Sequence, residues 1–98
     1  MAFHIEFMPD AWEHIEALTA RNQSILLDSI EQLSHQPDVK TRNRKPLRPN
    51  SLAGWELRVE NFRVFYDIAP EENTVYVVAV GTKKRNLLFI GGERFMLS

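Results

Sequence analysis

The hydrophobic period of this chain changes once, and that change limits what it can build. Between residues 9 and 35 apolar side chains recur at helical spacing. Trp12, Ile15, Leu18 and Thr19 share one stripe, with Glu13, His14 and Glu16 on the other side. Ile25, Leu26, Ile30 and Leu33 form a second stripe, flanked by Asp28, Glu31 and Gln32. From Trp55 onward the period is two. Trp55, Leu57 and Val59 alternate with Glu56, Arg58 and Glu60, and Phe62, Val64, Tyr66 and Ile68 alternate with Arg63, Phe65 and Asp67. Helices grouped before strands predict an α+β fold, with a helical hairpin packed on one face of an antiparallel sheet.

Local signals set the boundaries. Phe3-His4-Ile5-Glu6-Phe7 alternates as a short half-buried strand. Pro9 suits a first helical turn, and Asp10 and Glu13 suit the positive end of a helix. The two helices join near Ala20–Asn22, and Pro37 ends the second. Residues 36–54 are basic and broken by Pro37, Pro46, Pro49 and Gly54. Long connections of this kind are usually functional or disordered. Glu60-Asn61 reads as a two-residue turn and Pro70–Asn73 as the next. Thr74–Val80 is a valine-rich central strand that Gly81 closes. Gly91-Gly92, between two apolar runs, signals a C-terminal hairpin or short element. The expected order is β-α-α-β-β-β plus that element, with residues 1–98 as one domain.

Composition removes several function classes. There is no cysteine, which excludes a disulfide scaffold, a zinc ribbon, a thiolate metal site and a cysteine nucleophile. There is no apolar run long enough to span a membrane and no visible signal peptide, so a cytoplasmic protein is expected. His4, His14 and His35 read as surface or partly packed residues.

The net charge of −1 conceals segregated blocks. Residues 1–39 carry −6, residues 40–63 carry +5, residues 64–82 carry −3 and residues 83–98 carry +3. Clustered in space, the basic blocks form a candidate polyanion site. The turn at Glu60-Asn61 sharpens this. It sets Val59 against Phe62, Arg58 against Arg63 and Leu57 against Val64. The apolar partners face the core, so Arg58 and Arg63 oppose each other on the other face. Like charges directly across a ladder are destabilising by up to about 1 kcal/mol. Either both guanidiniums meet an anion, most naturally a phosphate, or Glu56, Glu60 or Asp67 neutralises them. Lys83, Lys84 and Arg85 follow the central strand and reach the rim of the arginine face if that strand lies beside the hairpin. Arg44, Lys45 and Arg48 enter the hairpin from its other end, so three segments can converge on one patch.

Three pieces occur in order at matching spacing: Gly54-Trp55-Glu56-Leu57-Arg58-Val59, Phe62-Arg63-Val64-Phe65-Tyr66, and Val77 to Arg85 with its Val80-Gly81-Thr82-Lys83 core. With Lys45-Pro46-Leu47 and the N-terminal strand and helix pair, they resemble the RelE/ParE toxins of type II toxin–antitoxin systems over nearly the whole chain. The resemblance implies a microbial RNase-like fold and a toxin held inactive by a cognate antitoxin. In RelE-like members it implies entry into the ribosome and cleavage of mRNA by attack of a ribose 2′-hydroxyl on the adjacent phosphate, with no metal and no cofactor. It makes Arg63 the phosphate-contacting arginine, with Arg58 and Lys83 as further basic residues of the catalytic set. Arg44, Lys45, Arg48, Lys84 and Arg85 are then expected to bind RNA.

Two positions depart from the family pattern. Glu56 stands where a lysine is common, and serves either as a base or as an ion-pair partner of Arg58 or Arg63. Phe89 falls where ribonucleolytic members often carry a tyrosine, and Tyr66 cannot replace it because the alternation turns it to the core. Two further readings therefore stand beside mRNA cleavage: a ParE-like inhibitor of DNA gyrase that is not an enzyme, and a catalytically inert relative.

Overall fold

The computed structural model describes residues 2–97. The chain runs β1 (His4–Phe7), α1 (Pro9–Glu16), α2 (Ala20–Ile30), a 3-10 turn (Glu31–Ser34), β2 (Arg44–Pro46), β3 (Trp55–Val59), β4 (Phe62–Ala69), a second 3-10 turn (Pro70–Glu72), β5 (Thr74–Lys84), β6 (Leu87–Ile90) and β7 (Glu93–Arg94). This is the expected α+β arrangement, two helices on a sheet. No helix among the described residues is long and apolar enough to cross a membrane.

The helices divide earlier than the apolar pattern predicts. α1 stops at Glu16, and Thr19 caps α2 by accepting a hydrogen bond from Asn22 N at 3.2 Å. A threonine hydroxyl satisfies one of the amides that a helix start leaves free, so the cap decides the junction. The buried stripe of α1 is Ala11 and Ile15. Trp12 lies at its edge, 43% exposed, in edge-to-face contact with Phe7 at 5.5 Å.

The sheet order is β2-β3-β4-β5-β6-β7, antiparallel throughout, and β1 adds to β5 in parallel. One edge of β5 thus serves two neighbours. Thr74–Val77 pair with β1, and Gly81–Lys84 pair with β6. In the gap between them, Val80 N donates to His14 Nδ1 at 3.2 Å. His14 is therefore a structural plug in the sheet edge, a role its sequence context does not signal.

Three local features differ from expectation. β5 does not close at Gly81 but runs three residues further, through a tight hairpin in which Arg85 and Asn86 both have positive φ (51° and 67°). Gly81 is required inside the strand because a Cβ there would lie 2.9 Å from Leu88 Cδ1 and 2.9 Å from Phe89 O. The 36–54 connection is ordered. It contributes β2, and Asn50 organises the rest: its Oδ1 accepts from Leu52 N and Ala53 N, and its Nδ2 donates to Arg48 O and Ala53 O. Finally, the face away from the helices is not uniformly wet. Leu57, Val59, Phe62, Val64, Tyr66, Val75, Val77 and Val80 build the main core with the helices. Phe65, Ala79, Leu88 and Ala53 build a second cluster on the opposite face, covered by Leu47, Leu52, Phe95 and Leu97. A register shift between Phe65 and Tyr66 marks the bulge beside this cluster.

Candidate anion-binding site

The hairpin forms in the expected register. Val59 pairs with Phe62, Arg58 with Arg63 and Leu57 with Val64. Because Leu57, Val59, Phe62 and Val64 are buried under the helices, the alternation places Arg58 and Arg63 together on the open face. β5 adjoins the hairpin, with Gly81 opposite Arg63, and Lys83 N donates to Asn61 O at 2.7 Å. Lys83 is two residues beyond Gly81 and so shares the arginine face. Arg58, Arg63 and Lys83, from three neighbouring strands, therefore come together at the turn end of the open face.

The two arginines differ. Arg58 is exposed. Arg63 is half-buried, and its Nη1 donates to Glu60 O at 3.0 Å and Phe62 O at 2.9 Å. One side of its guanidinium thus pins the turn, where Glu60 has a positive φ of 53°. Burial first, and then the charge of Arg58, hold the Arg63 pKa below the ordinary arginine value, while Glu56 opposes the shift. The opposed charges are therefore not neutralised by a direct ion pair: among the described residues neither arginine meets a carboxylate in a salt bridge.

Glu56 is buried, at 7% exposure, and its ion pair is with Lys45 at 3.8 Å, across β2–β3. The expected partners Arg58 and Arg63 are not the ones it takes, because Lys45 is its directly opposed neighbour. Of the other basic residues expected at the patch, only Lys45 has its side chain tied to the open face near the arginines. Arg44 lies opposite core residue Leu57, and its Nη1 donates to His35 O (3.2 Å) and Gln36 O (3.0 Å). It holds the connection to the end of the helical layer instead of presenting a cation. Arg48 shares a shallow depression with Asp67, at the far end of the open face. Lys84 faces a groove on the helix side with His14 and Phe89, because it is one residue out of phase with Lys83. Arg85 occupies the exposed turn.

Phe89 is opposite Thr82 and faces the helix-side groove, so it is not on the arginine face. Tyr66 is fully buried and donates to Pro37 O at 2.9 Å, as the alternation predicts. The open face is also polarised, which block counting along the chain does not reveal. Asp67, Tyr76 and Glu6 lie in one cross-strand row at the end away from the arginines.

Two helices over one face of a mainly antiparallel sheet, and a cationic cluster on the other, define a small α+β domain with an anion-binding face. The sequence profile of the "ParE toxin of type II toxin-antitoxin system, parDE" matches residues 5–87, and the chain belongs to that family. No curated protein sequence matches significantly. Among solved structures, the fold is similar to a chain of the RelBE2 toxin–antitoxin complex from Mycobacterium tuberculosis, with a TM-score of 0.73 at 24% identity, covering 85% of this chain and 93% of that one. It is similar to a chain of the archaeal RelE–RelB complex from Pyrococcus horikoshii, with a TM-score of 0.70 at 13% identity, covering 87% and 99%. A mutant E. coli RelE toxin in the free state gives a TM-score of 0.66 at 23% identity, covering 84% of each chain. The protein is thus a type II toxin of the RelE/ParE superfamily.

Proposed function

We propose that this toxin inhibits translation by cleaving mRNA on the ribosome, with Arg58, Arg63 and Lys83 holding the scissile phosphate, and that a cognate antitoxin neutralises it. The observation that carries the reading is the convergence of these three cations on one open face, with no carboxylate in a salt bridge to any of them among the described residues. Such a set is costly without an anion, and phosphate is the anion that guanidinium groups bind in bidentate fashion. In 2′-hydroxyl attack, charge accumulates on the phosphate oxygens, where fixed donors stabilise it more than in the ground state. Arg63 suits that task because its own turn already immobilises it. Lys83 is the group that can protonate the leaving 5′-oxygen, and the proton released by the attacking 2′-hydroxyl passes to solvent water. Glu56, paired with Lys45 and nearly closed to solvent, acts as an electrostatic support for the cluster. The structures of RelE with RelB support an antitoxin as the partner.

A second reading is inhibition of DNA gyrase without catalysis. It is favoured by the ParE profile and by the two departures, Glu56 in place of a lysine and Phe89 on the wrong face. Induced expression followed by primer-extension mapping separates the two. Transcripts cut at discrete positions, lost in Arg63→Ala and Lys83→Ala, support mRNA cleavage. Intact transcripts with DNA breaks and an SOS response reject it in favour of gyrase.

A further inference from the structure

The open face has a second end, and no part of the proposed phosphate chemistry uses it. Asp67 on β4, Tyr76 on β5 and Glu6 on β1 are directly opposed in one cross-strand row. The Tyr76 hydroxyl donates a hydrogen bond to Glu72, so a third carboxylate is fixed over the row. Asp67 is fixed as well, its Oδ1 accepting from Gly54 N at 2.7 Å. Asp10 and Asp67 flank a hollow floored by Met8, Tyr76 and Val78. Glu6, Asp67 and Glu72 are exposed, and among the described residues none of them meets a cation in a salt bridge. Arg48 shares a depression with Asp67, which still leaves this end net negative. Tyr76 reports the field. Its hydrogen bond to Glu72, then desolvation, then the charges of Glu72, Glu6 and Glu71 hold its phenol above the ordinary value of 10.0.

The two ends lie close. Asp67 is four residues along β4 from Arg63, about 13 Å at the rise of a strand. The screening length at physiological salt is about 8 Å, and longer in dilute buffer. Between the two ends sit Phe65 and Ala79, covered by Leu47, Leu52, Phe95 and Leu97, an apolar cluster that contains no cation. A polyanion that leaves Arg63 along the strands therefore gains no contact and runs into fixed negative charge. One that leaves across the strands stays with Arg58 on β3 and Lys83 on β5. We infer that the Glu6–Tyr76–Asp67 row, with Glu72, is an electrostatic stop that turns bound RNA across the strands and limits how many nucleotides the open face holds. The row is not a binding site. It determines specificity by making one path unfavourable. The inference rests on the nucleic-acid reading above and adds to it the residues that bound the RNA path.

The test uses the full chain and single-stranded RNAs with 2′-O-methyl sugars, a tetranucleotide and an octanucleotide, in fluorescence-anisotropy titrations at several salt concentrations. Glu6→Gln, Asp67→Asn and Glu72→Gln are combined in one variant. Each replacement keeps the side-chain size and an amide oxygen that can accept the bonds from Gly54 N and Tyr76. At low salt this variant should bind the octanucleotide about tenfold more tightly than the unmodified protein does and the tetranucleotide within about twofold, and the gain should vanish at high salt. A control removes the same charge from the helices, through Glu13→Gln, Glu16→Gln and Asp28→Asn, and should show no length-dependent gain. Glu6→Lys should add a phosphate contact for the octanucleotide alone, steepening its log–log salt dependence by about 0.7. Octanucleotide affinity that stays within about twofold in the neutralised variant at low salt overturns the inference. So does an equal gain for both lengths, or the same gain in the control, since either reflects net charge and not a stop. Failure of the unmodified protein to bind these RNAs, or binding indifferent to Arg63→Ala and Lys83→Ala, rejects the nucleic-acid reading itself.

Discussion

Arg58 and Arg63 stand directly opposite each other on the open face of the β3–β4 hairpin, and the charge of Arg58 lowers the proton affinity of Arg63. This fold therefore tolerates a repulsion at its proposed site. Removing one charge should relieve it. Arg58→Ala is expected to leave stability unchanged or raise it by up to about 1 kcal/mol, while abolishing growth inhibition. Thermal denaturation in low and high salt checks the cause. Salt should stabilise the unmodified protein by screening the pair, and Arg58→Ala should lose most of that response.

The Glu56–Lys45 pair separates support from catalysis. Lys45 is 57% exposed and the contact is 3.8 Å, so solvent screens it. A double-mutant cycle with Glu56→Gln and Lys45→Ala should give a coupling below about 1 kcal/mol. Glu56→Gln should retain growth inhibition within a few-fold. A loss of several orders of magnitude in mRNA cleavage, with the fold intact, would make Glu56 the proton acceptor.

Gly81 has no room for a side chain. A methyl group there meets Leu88 Cδ1, Phe89 O and, at 3.0 Å, Ile90 Cγ1. Two of these atoms belong to side chains that can shift and one is backbone. Gly81→Ala should cost about 1–3 kcal/mol in chemical denaturation, through strain between β5 and β6.

Tyr66 makes stability fall at alkaline pH. Burial is the main cause that raises its phenol pKa above the ordinary value of 10.0. The folded state therefore keeps this proton after the unfolded chain has lost it. Its contribution is complete below pH 10.0 and declines as pH rises from there toward the higher folded pKa. Tyr66→Phe should remove this alkaline loss. At neutral pH the same substitution should cost about 1–2 kcal/mol, because Pro37 O loses its donor. Denaturant titrations of both proteins between neutral pH and pH above 10.0 measure the difference.

Local pattern alone determined the secondary-structure classes, the helix pair before the strands, the turn at Glu60-Asn61 and therefore the Arg58–Arg63 juxtaposition. These are short-range consequences of period, proline, glycine and a two-residue turn, and a two-residue turn leaves only one register. Thr19, the Arg85-Asn86 turn and the Asn50 network were also written in local chemistry, in less conspicuous residues than the apolar stripes.

Tertiary structure decided the rest. Which of the scattered cations join the arginines depends on how β2 and β5 dock on the hairpin. Adjacent residues of a strand point to opposite faces, so one step along β5 sends Lys83 to the site and Lys84 to the helix-side groove. The same parity removes Phe89 from the arginine face. The plug formed by His14, the second apolar cluster and the acidic end of the open face all join residues far apart in the chain. No local period encodes such contacts, because they exist only once separate elements have been brought together by burying their apolar sides.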